Sequence, residues 1–122
     1  MHYVIAGAGP AAIAAAEHLR ELDADSEVTL IGAQAQPPYS RMAIPYFLTG
    51  KVGEEGTYLR RSQDHYQNHG LKLVHGEVTA VDPIGHAVTL SDGQQVSYDK
   101  LLLATGAEPI IPPVSGMDDP RV

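Results

Sequence analysis

Residues 7–12 read Gly-Ala-Gly-Pro-Ala-Ala, and this stretch decides the fold that the sequence predicts. The run before it, residues 2–6, is short and apolar, which is typical of a buried strand in a parallel sheet. Residues 11–22 are rich in alanine and repeat apolar side chains at helical spacing. Residues 27–31 form a second candidate strand, which ends at a glycine. The start of the chain therefore predicts a strand, a tight turn, a helix and a second parallel strand.

The turn at residues 7–12 has the G-x-G-x-x-A spacing of a dinucleotide-binding fingerprint. Gly7 permits the tight turn, and Gly9 lets the backbone approach a pyrophosphate. Ala12 is small enough for close packing of the helix on the strand. The phosphates would lie at the helix N-terminus, where unpaired N–H groups and the helix dipole favour anions. The alternative is a glycine turn between strand and helix that binds no ligand.

The acidic residue that usually holds a ribose hydroxyl in such sites is absent. It is expected about 20 residues beyond the glycines, at the end of the second strand. That position is Gly32, while Glu27 begins the strand and is expected to face solvent. Gln34 is the candidate replacement, because its amide both donates and accepts hydrogen bonds. The alternative is an ordinary loop glutamine.

The remainder of the chain predicts two further helices and a change to strand periodicity. Helices are predicted over residues 40–49 and 61–69. From residue 71 the apolar period changes to alternation, which predicts an antiparallel meander over residues 71–98. Residues 101–104 are wholly apolar and predict a strand that returns to the parallel sheet. The predicted fold class is α/β, a Rossmann-like parallel sheet with a β-α-β start and a small antiparallel β-meander.

Composition narrows the functional classes. The chain has 122 residues and a net charge of −7, which argues against nucleic acid or an anionic membrane as the main partner. No apolar run approaches the roughly 20 residues that span a bilayer, and the start lacks the basic region of a signal peptide. A cytoplasmic location is therefore predicted. Because the chain has no cysteine, thiol nucleophiles and cysteine-ligated metals are excluded from it.

A second motif covers residues 98–109, which read Tyr-Asp-Lys-Leu-Leu-Leu-Ala-Thr-Gly-Ala-Glu-Pro. Its strand ends in small residues, and Thr105 and Gly106 would let a flat cofactor pack against the backbone. With the G-x-G-x-x-A turn and the meander, this segment resembles the pyridine nucleotide–disulfide oxidoreductase superfamily. The resemblance implies an FAD-dependent enzyme that takes hydride from NAD(P)H. It also implies that residues 1–108 are the first segment of the FAD-binding domain.

The middle of the chain resembles two branches of that superfamily. Residues 38–41 resemble the P-Y-x-R of ferredoxin, rubredoxin and nitrite reductase flavoproteins. Residues 44–50 resemble the L-P-Y-Y-x-x-G of NADH oxidases and coenzyme A disulfide reductases, which carry a redox cysteine just before it. The absence of cysteine argues against disulfide or peroxidase chemistry at this position. In ferredoxin reductases a lysine follows the arginine by six residues, but Phe47 stands there and Lys51 is the nearest lysine.

The resemblance also implies which residues contact FAD. The glycine turn and the first residues of the helix would border the pyrophosphate, and the end of the last strand would line the cofactor. Arg41 would lie beside the phosphates or the flavin, with a solvated loop arginine as the alternative. Val78 would meet the adenine through its backbone, with a plain core residue as the alternative. The predicted cofactor-binding residues are Gly7, Gly9, Pro10, Ala11, Gly32, Gln34, Arg41, Val78, Ala104, Thr105 and Gly106.

Neither a catalytic residue nor a metal site is predicted. His65 and His69 are four residues apart, a spacing that suits a metal on a helix, but no acidic third ligand is evident and a solvated face is favoured. The electron acceptor of the parent protein would be a ferredoxin, a rubredoxin, a nitrite reductase partner or O2. The alternative function is a non-catalytic module that binds FAD or an adenine nucleotide.

The chain is expected to be one part of a longer flavoprotein. Residues 109–122 are rich in proline and are predicted to be a linker toward an NAD-binding domain. No second glycine fingerprint follows residue 106. The segment alone is therefore expected to be inactive and to bind FAD weakly. An open sheet edge would also favour self-association.

Overall fold

The computed structural model describes residues 1–62, 64–108, 110–115 and 117. Within them the chain forms two sheets and three short-to-medium α-helices. In chain order the elements are β1 (His2–Ala6), α1 (Pro10–Leu22), β2 (Glu27–Gly32), α2 (Ile44–Leu48), α3 (His65–Asn68), β3 (Leu71–His75), β4 (Val78–Asp82), β5 (Ala87–Leu90), β6 (Gln95–Ser97) and β7 (Lys100–Leu103).

The larger sheet is parallel and has the strand order β3-β2-β1-β7. Successive residues of β1 face opposite layers, as the alternation of a strand requires. Ile5 packs with α1, α3 and the start of β3, whereas Val4 packs with the buried residues of β5. Both are completely buried. The sheet therefore lies between a helical layer and the second sheet, and the predicted α/β class is confirmed.

The smaller sheet is an antiparallel meander with the order β4-β5-β6. The prediction that the meander begins at residue 71 is wrong, because β3 pairs in parallel with β2, with Leu71 beside Val28 and His75 beside Gly32. β3 is the outer strand of the parallel sheet and its faces are only partly covered. Polar side chains such as Lys72 are tolerated there, and their alternation with leucine resembles an antiparallel strand.

Both predicted middle helices differ from the structure in extent. The region of residues 40–49 begins as a 3₁₀ turn over Arg41–Ala43 and continues as α2, in which proline occupies the first turn, where its missing N–H costs nothing. The helix predicted over residues 61–69 is wrong in length, since only His65–Asn68 is helical among the described residues. A helix this short depends on tertiary contacts rather than on propensity.

The strand predicted over residues 101–104 does return to the parallel sheet, where it occupies the edge beside β1 as β7. Leu102 and Leu103 are 41% and 62% exposed. The open edge that motivated the prediction of self-association is thus present, and self-association itself stays a prediction. Of the predicted linker, residues 109, 116 and 118–122 lie outside the described residues.

Hydrogen bonds among Glu17, Arg60 and His65 connect α3 and the segment before it to α1. Both oxygens of the Glu17 carboxylate accept hydrogen bonds from the guanidinium of Arg60, one of them from Nε at 2.7 Å. His65 Nε2 lies 2.8 Å from Glu17 Oε1. The hydrogen bond from Arg60, and secondarily that from His65, holds the pKa of the Glu17 carboxyl below its usual value. Because the Glu17 side chain is only 22% exposed, this cluster is less screened than a surface ion pair.

Replacing Glu17 by glutamine is expected to lower the free energy of unfolding by about 1 kcal/mol at neutral pH. A carboxyl whose folded pKa is depressed contributes stability above its unfolded pKa, and this contribution is lost as pH falls through the folded pKa. Urea unfolding should therefore separate wild type and Glu17→Gln at neutral pH and bring them together in acid. Glu21→Gln is the control, because Glu21 is 75% exposed and should change little at either pH. A difference that grows in acid would contradict this account.

Candidate cofactor site

A cleft of about 440 Å³ opens where β1, β2 and β7 end at their carboxyl ends. This volume lies within the range of about 300–1,000 Å³ that is typical of small-molecule sites. In open α/β sheets, ligands bind outside the carboxyl ends of the strands. The loop after β2, the turn between β3 and β4, and the segment after β7 complete the walls.

The turn between β1 and α1 brings the two sequence motifs into direct contact. Gly7 has φ +130°, a backbone conformation that residues with a Cβ rarely adopt. Its N–H donates to the carbonyl of Ile31 at 2.8 Å, and a Cβ here would overlap the carbonyl oxygen of Ala104. The N–H of Ala104 in turn donates to the carbonyl of Ala6 at 2.8 Å. Glycine is therefore required at this position for β1 and β7 to end side by side.

The second glycine of the turn has a different environment. Gly9 precedes α1 with φ −82°, a conformation open to any residue, and a Cβ here would meet no atom within 4 Å. The first bond of the helix runs from the N–H of Ile13 to the carbonyl of Gly9 at 3.0 Å. The N–H groups of Ala11 and Ala12 precede that bond and have no partner within the helix. Ala11 is exposed whereas Ala12 is completely buried, so the accessible backbone donor at this end of α1 is the N–H of Ala11.

The structure brings ten of the eleven predicted cofactor-binding residues to this cleft. Ala11 differs, since it does not line the cleft. Val78 both lines the cleft and packs against the core formed by β1, β2 and β5, so the two interpretations of this residue are compatible. Those that line the cleft are Gly7, Gly9, Pro10, Gly32, Gln34, Arg41, Val78, Ala104, Thr105 and Gly106.

Arg41 is the one cationic side chain among the described residues that line the cleft. Its Nη1 donates to the carbonyl of Ala107 at 3.3 Å, which links the loop after β2 to the segment after β7. The bond is long and the side chain is exposed, so most of the guanidinium donors remain available to an anion. A planar fork of donors suits phosphate oxygens.

The structure shows whether Lys51 takes the place of the lysine that ferredoxin reductases carry six residues after the arginine. Neither Phe47 nor Lys51 lines the cleft. The Lys51 ammonium instead lies 5.9 Å from the centre of the Tyr46 ring, within the distance of a cation–π contact. Within this part of the chain, Arg41 therefore has no lysine companion in the cleft.

The turn between β3 and β4 lines the cleft, which was not predicted from the sequence. Gly76 and Glu77 line the cleft together with Val78. The Gly76 N–H donates to the carbonyl of Gly32 at 2.9 Å, so this turn lies directly against the end of β2. The place of this turn in the cleft could not be predicted because β3, the strand before it, was assigned to the meander instead of to the parallel sheet.

The two histidines of α3 do not form a metal centre with their neighbours. Their rings stack with centres 4.1 Å apart, and His65 Nε2 is engaged by Glu17. His69 Nδ1 lies 2.7 Å from the carbonyl of His65. In the part of the chain that the structure describes, no three His, Asp or Glu residues are grouped to hold a metal ion. Within the same residues, none of the helices is both long and apolar enough to cross a bilayer.

Comparison with known proteins identifies the family. The sequence pattern of the pyridine nucleotide-disulphide oxidoreductases matches residues 1–122. The chain belongs to this family. Members of the pyridine nucleotide-disulphide oxidoreductase family are FAD-binding oxidoreductases that use NAD(P)H, so the predicted superfamily is confirmed.

The chain spans about a quarter of the length of the relatives that it matches. The NADH-dependent phenylglyoxylate dehydrogenase subunit epsilon of Aromatoleum evansii is 37% identical over 116 residues, which are 95% of this chain and 28% of the relative. An NADH oxidase of Methanocaldococcus jannaschii is 31% identical over 124 residues, 97% of this chain and 28% of the relative. In the solved covalent putidaredoxin reductase–putidaredoxin complex, one chain is 33% identical with a TM-score of 0.86, covering 94% of this chain and 28% of that one.

Proposed function

We propose that this chain binds FAD as the first segment, residues 1–108, of the FAD-binding domain of an NAD(P)H-dependent oxidoreductase. The observation that supports this most strongly is the contact between the two motifs. The glycine turn after β1 and the small residues after β7 adjoin at Gly7 and Ala104 and line one cleft. Membership of a family of FAD-binding oxidoreductases supports the same proposal.

The residues present fit the phosphate-bearing half of FAD. The pyrophosphate would lie at the N-terminus of α1, in the open space beside Gly9, with Arg41 close to its oxygens. The adenosine would extend toward Gly32 and Val78, at the ends of β2 and β3. The flavin would pack along Thr105 and Gly106, which are exposed and line the cleft.

When bound, FAD supplies the chemistry, accepting hydride from NAD(P)H and passing electrons onward, while the chain binds and orients it. No side chain of this segment is proposed as catalytic. For the parent protein we propose, as acceptor, a small redox protein such as a ferredoxin or rubredoxin, a nitrite reductase partner, or O2. The cytoplasmic location and the linker role of residues 109–122 stay predictions.

Calorimetric titration of the chain with FAD, ADP and FMN tests the proposal. FAD and ADP share the adenosine and its pyrophosphate, whereas FMN lacks them. Because the residues that line the cleft would contact the adenosine and phosphates, FAD and ADP are expected to bind and FMN is expected to bind far more weakly. Binding of FMN equal to that of FAD, or no binding of FAD at any soluble concentration, would contradict the proposal. A dissociation constant for FAD below about 1 μM would contradict the expectation of weak binding.

Turnover distinguishes the enzyme from the alternative, a non-catalytic nucleotide-binding module. The measurement is steady-state oxidation of NADH, with dye acceptors, by a longer natural protein that contains this chain. Oxidation by the flavin-loaded protein supports the oxidoreductase. No turnover with flavin fully bound would favour the non-catalytic module.

Replacing Arg41 by glutamine is expected to weaken FAD binding by about five- to tenfold, because one charge-assisted contact with a phosphate is lost. The salt dependence of binding should also decrease, since fewer ionic contacts remain to be screened. Arg61→Gln is a matched control, because Arg61 is exposed and does not line the cleft. Titrations of both variants at low and high salt provide the comparison. Equal losses in the two variants would show that net charge, and not Arg41, determines affinity.

A further inference from the structure

The wall of the cleft that would meet the ribose has no carboxylate at the end of β2 or in residues 33–36 of the loop that follows it. From Gly32 to Gln36 the residues are glycine, alanine and glutamine. A dinucleotide site of this kind normally holds the ribose hydroxyls with an acid at the end of the second strand. The nearest carboxylate therefore has to come from a different part of the chain.

Glu77 lies on the turn between β3 and β4 and lines the same cleft. Its backbone is held on one side by the Gly76 N–H, which donates to the Gly32 carbonyl at 2.9 Å. On the other side, the carbonyl of Glu77 accepts a hydrogen bond from the N–H of Ser91 at 2.8 Å. A third bond, from the His75 ring to the carbonyl of Ala33 at 3.1 Å, ties the end of β3 to the loop after β2.

The Glu77 side chain makes no contact that stabilises the fold among the described residues. It is exposed and makes no hydrogen bond or ion pair with any described residue, although its backbone is firmly placed. By contrast, Glu108, the other acid of the cleft, follows Ala107, whose carbonyl accepts from Arg41 on the wall formed after β7. Glu77 is therefore the carboxylate on the β2 side of the cleft.

We propose that Glu77 holds a hydroxyl of the adenosine ribose, replacing the acid that is missing at the end of β2. Resting on the proposed binding of FAD, this inference assigns a specificity residue for its adenosine half. The carboxylate accepts a hydrogen bond from the 2′- or 3′-hydroxyl, and no bond is made or broken. It also disfavours dinucleotides that carry a phosphate at the 2′ position, because two anions would meet there.

Whether Glu77→Gln weakens or tightens nucleotide binding shows whether the Glu77 carboxylate contacts the ribose or only lies near the pyrophosphate. A carboxylate that merely lies near a pyrophosphate repels it, so replacing Glu77 by glutamine would then tighten binding. A carboxylate that accepts a hydrogen bond from the ribose contributes to affinity, so the same replacement weakens binding. We expect the weaker binding, by about five- to tenfold for both FAD and ADP.

Calorimetric titration of wild type, Glu77→Gln and the control Glu55→Gln with FAD, ADP, 2′-deoxy-ADP and 3′-deoxy-ADP tests the inference. Glu55 is exposed in the 3₁₀ turn that follows Gly53 and lies outside the cleft. Glu77→Gln should weaken ADP but leave unchanged the affinity for the deoxy analogue that lacks the contacted hydroxyl. Glu55→Gln should match wild type throughout.

Three results would overturn the inference while the proposed function stands. The first is that Glu77→Gln binds ADP as tightly as wild type or more tightly. The second is that Glu77→Gln loses equal affinity for ADP and for both deoxy analogues. The third is that Gln34→Ala, but not Glu77→Gln, loses the preference for ADP over the deoxy analogues. If wild type binds neither FAD nor ADP, the proposed function fails and the inference fails with it. Unchanged urea unfolding of Glu77→Gln is expected, because the side chain has no partner among the described residues.

Discussion

Replacing Gly7 by alanine is expected to lower the free energy of unfolding by at least about 3 kcal/mol, a large part of the stability of a small domain. Two independent effects act at this position. The backbone has φ +130°, which alanine adopts only under strain, and the added Cβ would overlap the carbonyl of Ala104. Since this carbonyl follows β7, relief of the overlap requires β1 and β7 to separate at their ends.

Urea unfolding followed by circular dichroism measures this effect. The matched control is Gly53→Ala, because Gly53 has φ −76° and a Cβ there would meet nothing within 4 Å. The control is expected to unfold at nearly the wild-type urea concentration. A Gly7→Ala protein as stable as the control would show that the described turn between β1 and α1 is wrong.

Replacing Gly9 by valine is expected to reduce FAD affinity by more than about tenfold while the fold stays intact. Gly9 has φ −82° and ψ −178°, an extended conformation that β-branched residues adopt without strain. No atom lies within 4 Å of a Cβ built there, so the new side chain would occupy the open space in which we place the pyrophosphate. It would exclude the ligand instead of disturbing the protein.

Gly53→Val controls for the loss of a glycine before a helical segment. Gly53 precedes a 3₁₀ turn with φ −76° and ψ 175°, almost the conformation of Gly9, and lies outside the cleft. Both substitutions are expected to cost at most about 1 kcal/mol of stability. Only Gly9→Val should lose FAD in a calorimetric titration. If both variants bind FAD like wild type, the pyrophosphate does not lie at the N-terminus of α1.

The start of the fold was predictable because its signals are local. The apolar run of β1, the glycine spacing and the helical period of α1 occupy consecutive residues, and the parallel pairing of β1 with β2 follows from that β-α-β order. The role of the motif after β7 was predicted from its resemblance to the family, because by itself its sequence indicates only a strand followed by a turn. Ten of the eleven predicted site residues line one cleft.

The rest depended on contacts between distant parts of the chain. β3 belongs to the parallel sheet because it pairs with β2, and the sequence shows no sign of that pairing. With β3 misassigned, the approach of Gly76 to Gly32 and the place of Glu77 in the cleft could not be derived. The contact between His65 of α3 and Glu17 of α1 likewise joins distant parts of the chain, and no local pattern predicts it.

Equilibrium dialysis of the chain against FAD tests the central claim most directly, with bound flavin read from its visible absorbance. The account predicts saturable binding to one site per chain by wild type and by Gly53→Val, and little binding by Gly9→Val, with all three proteins folded. Contradiction would be a folded wild-type chain that retains no FAD at any soluble concentration, or a Gly9→Val chain that retains as much FAD as wild type.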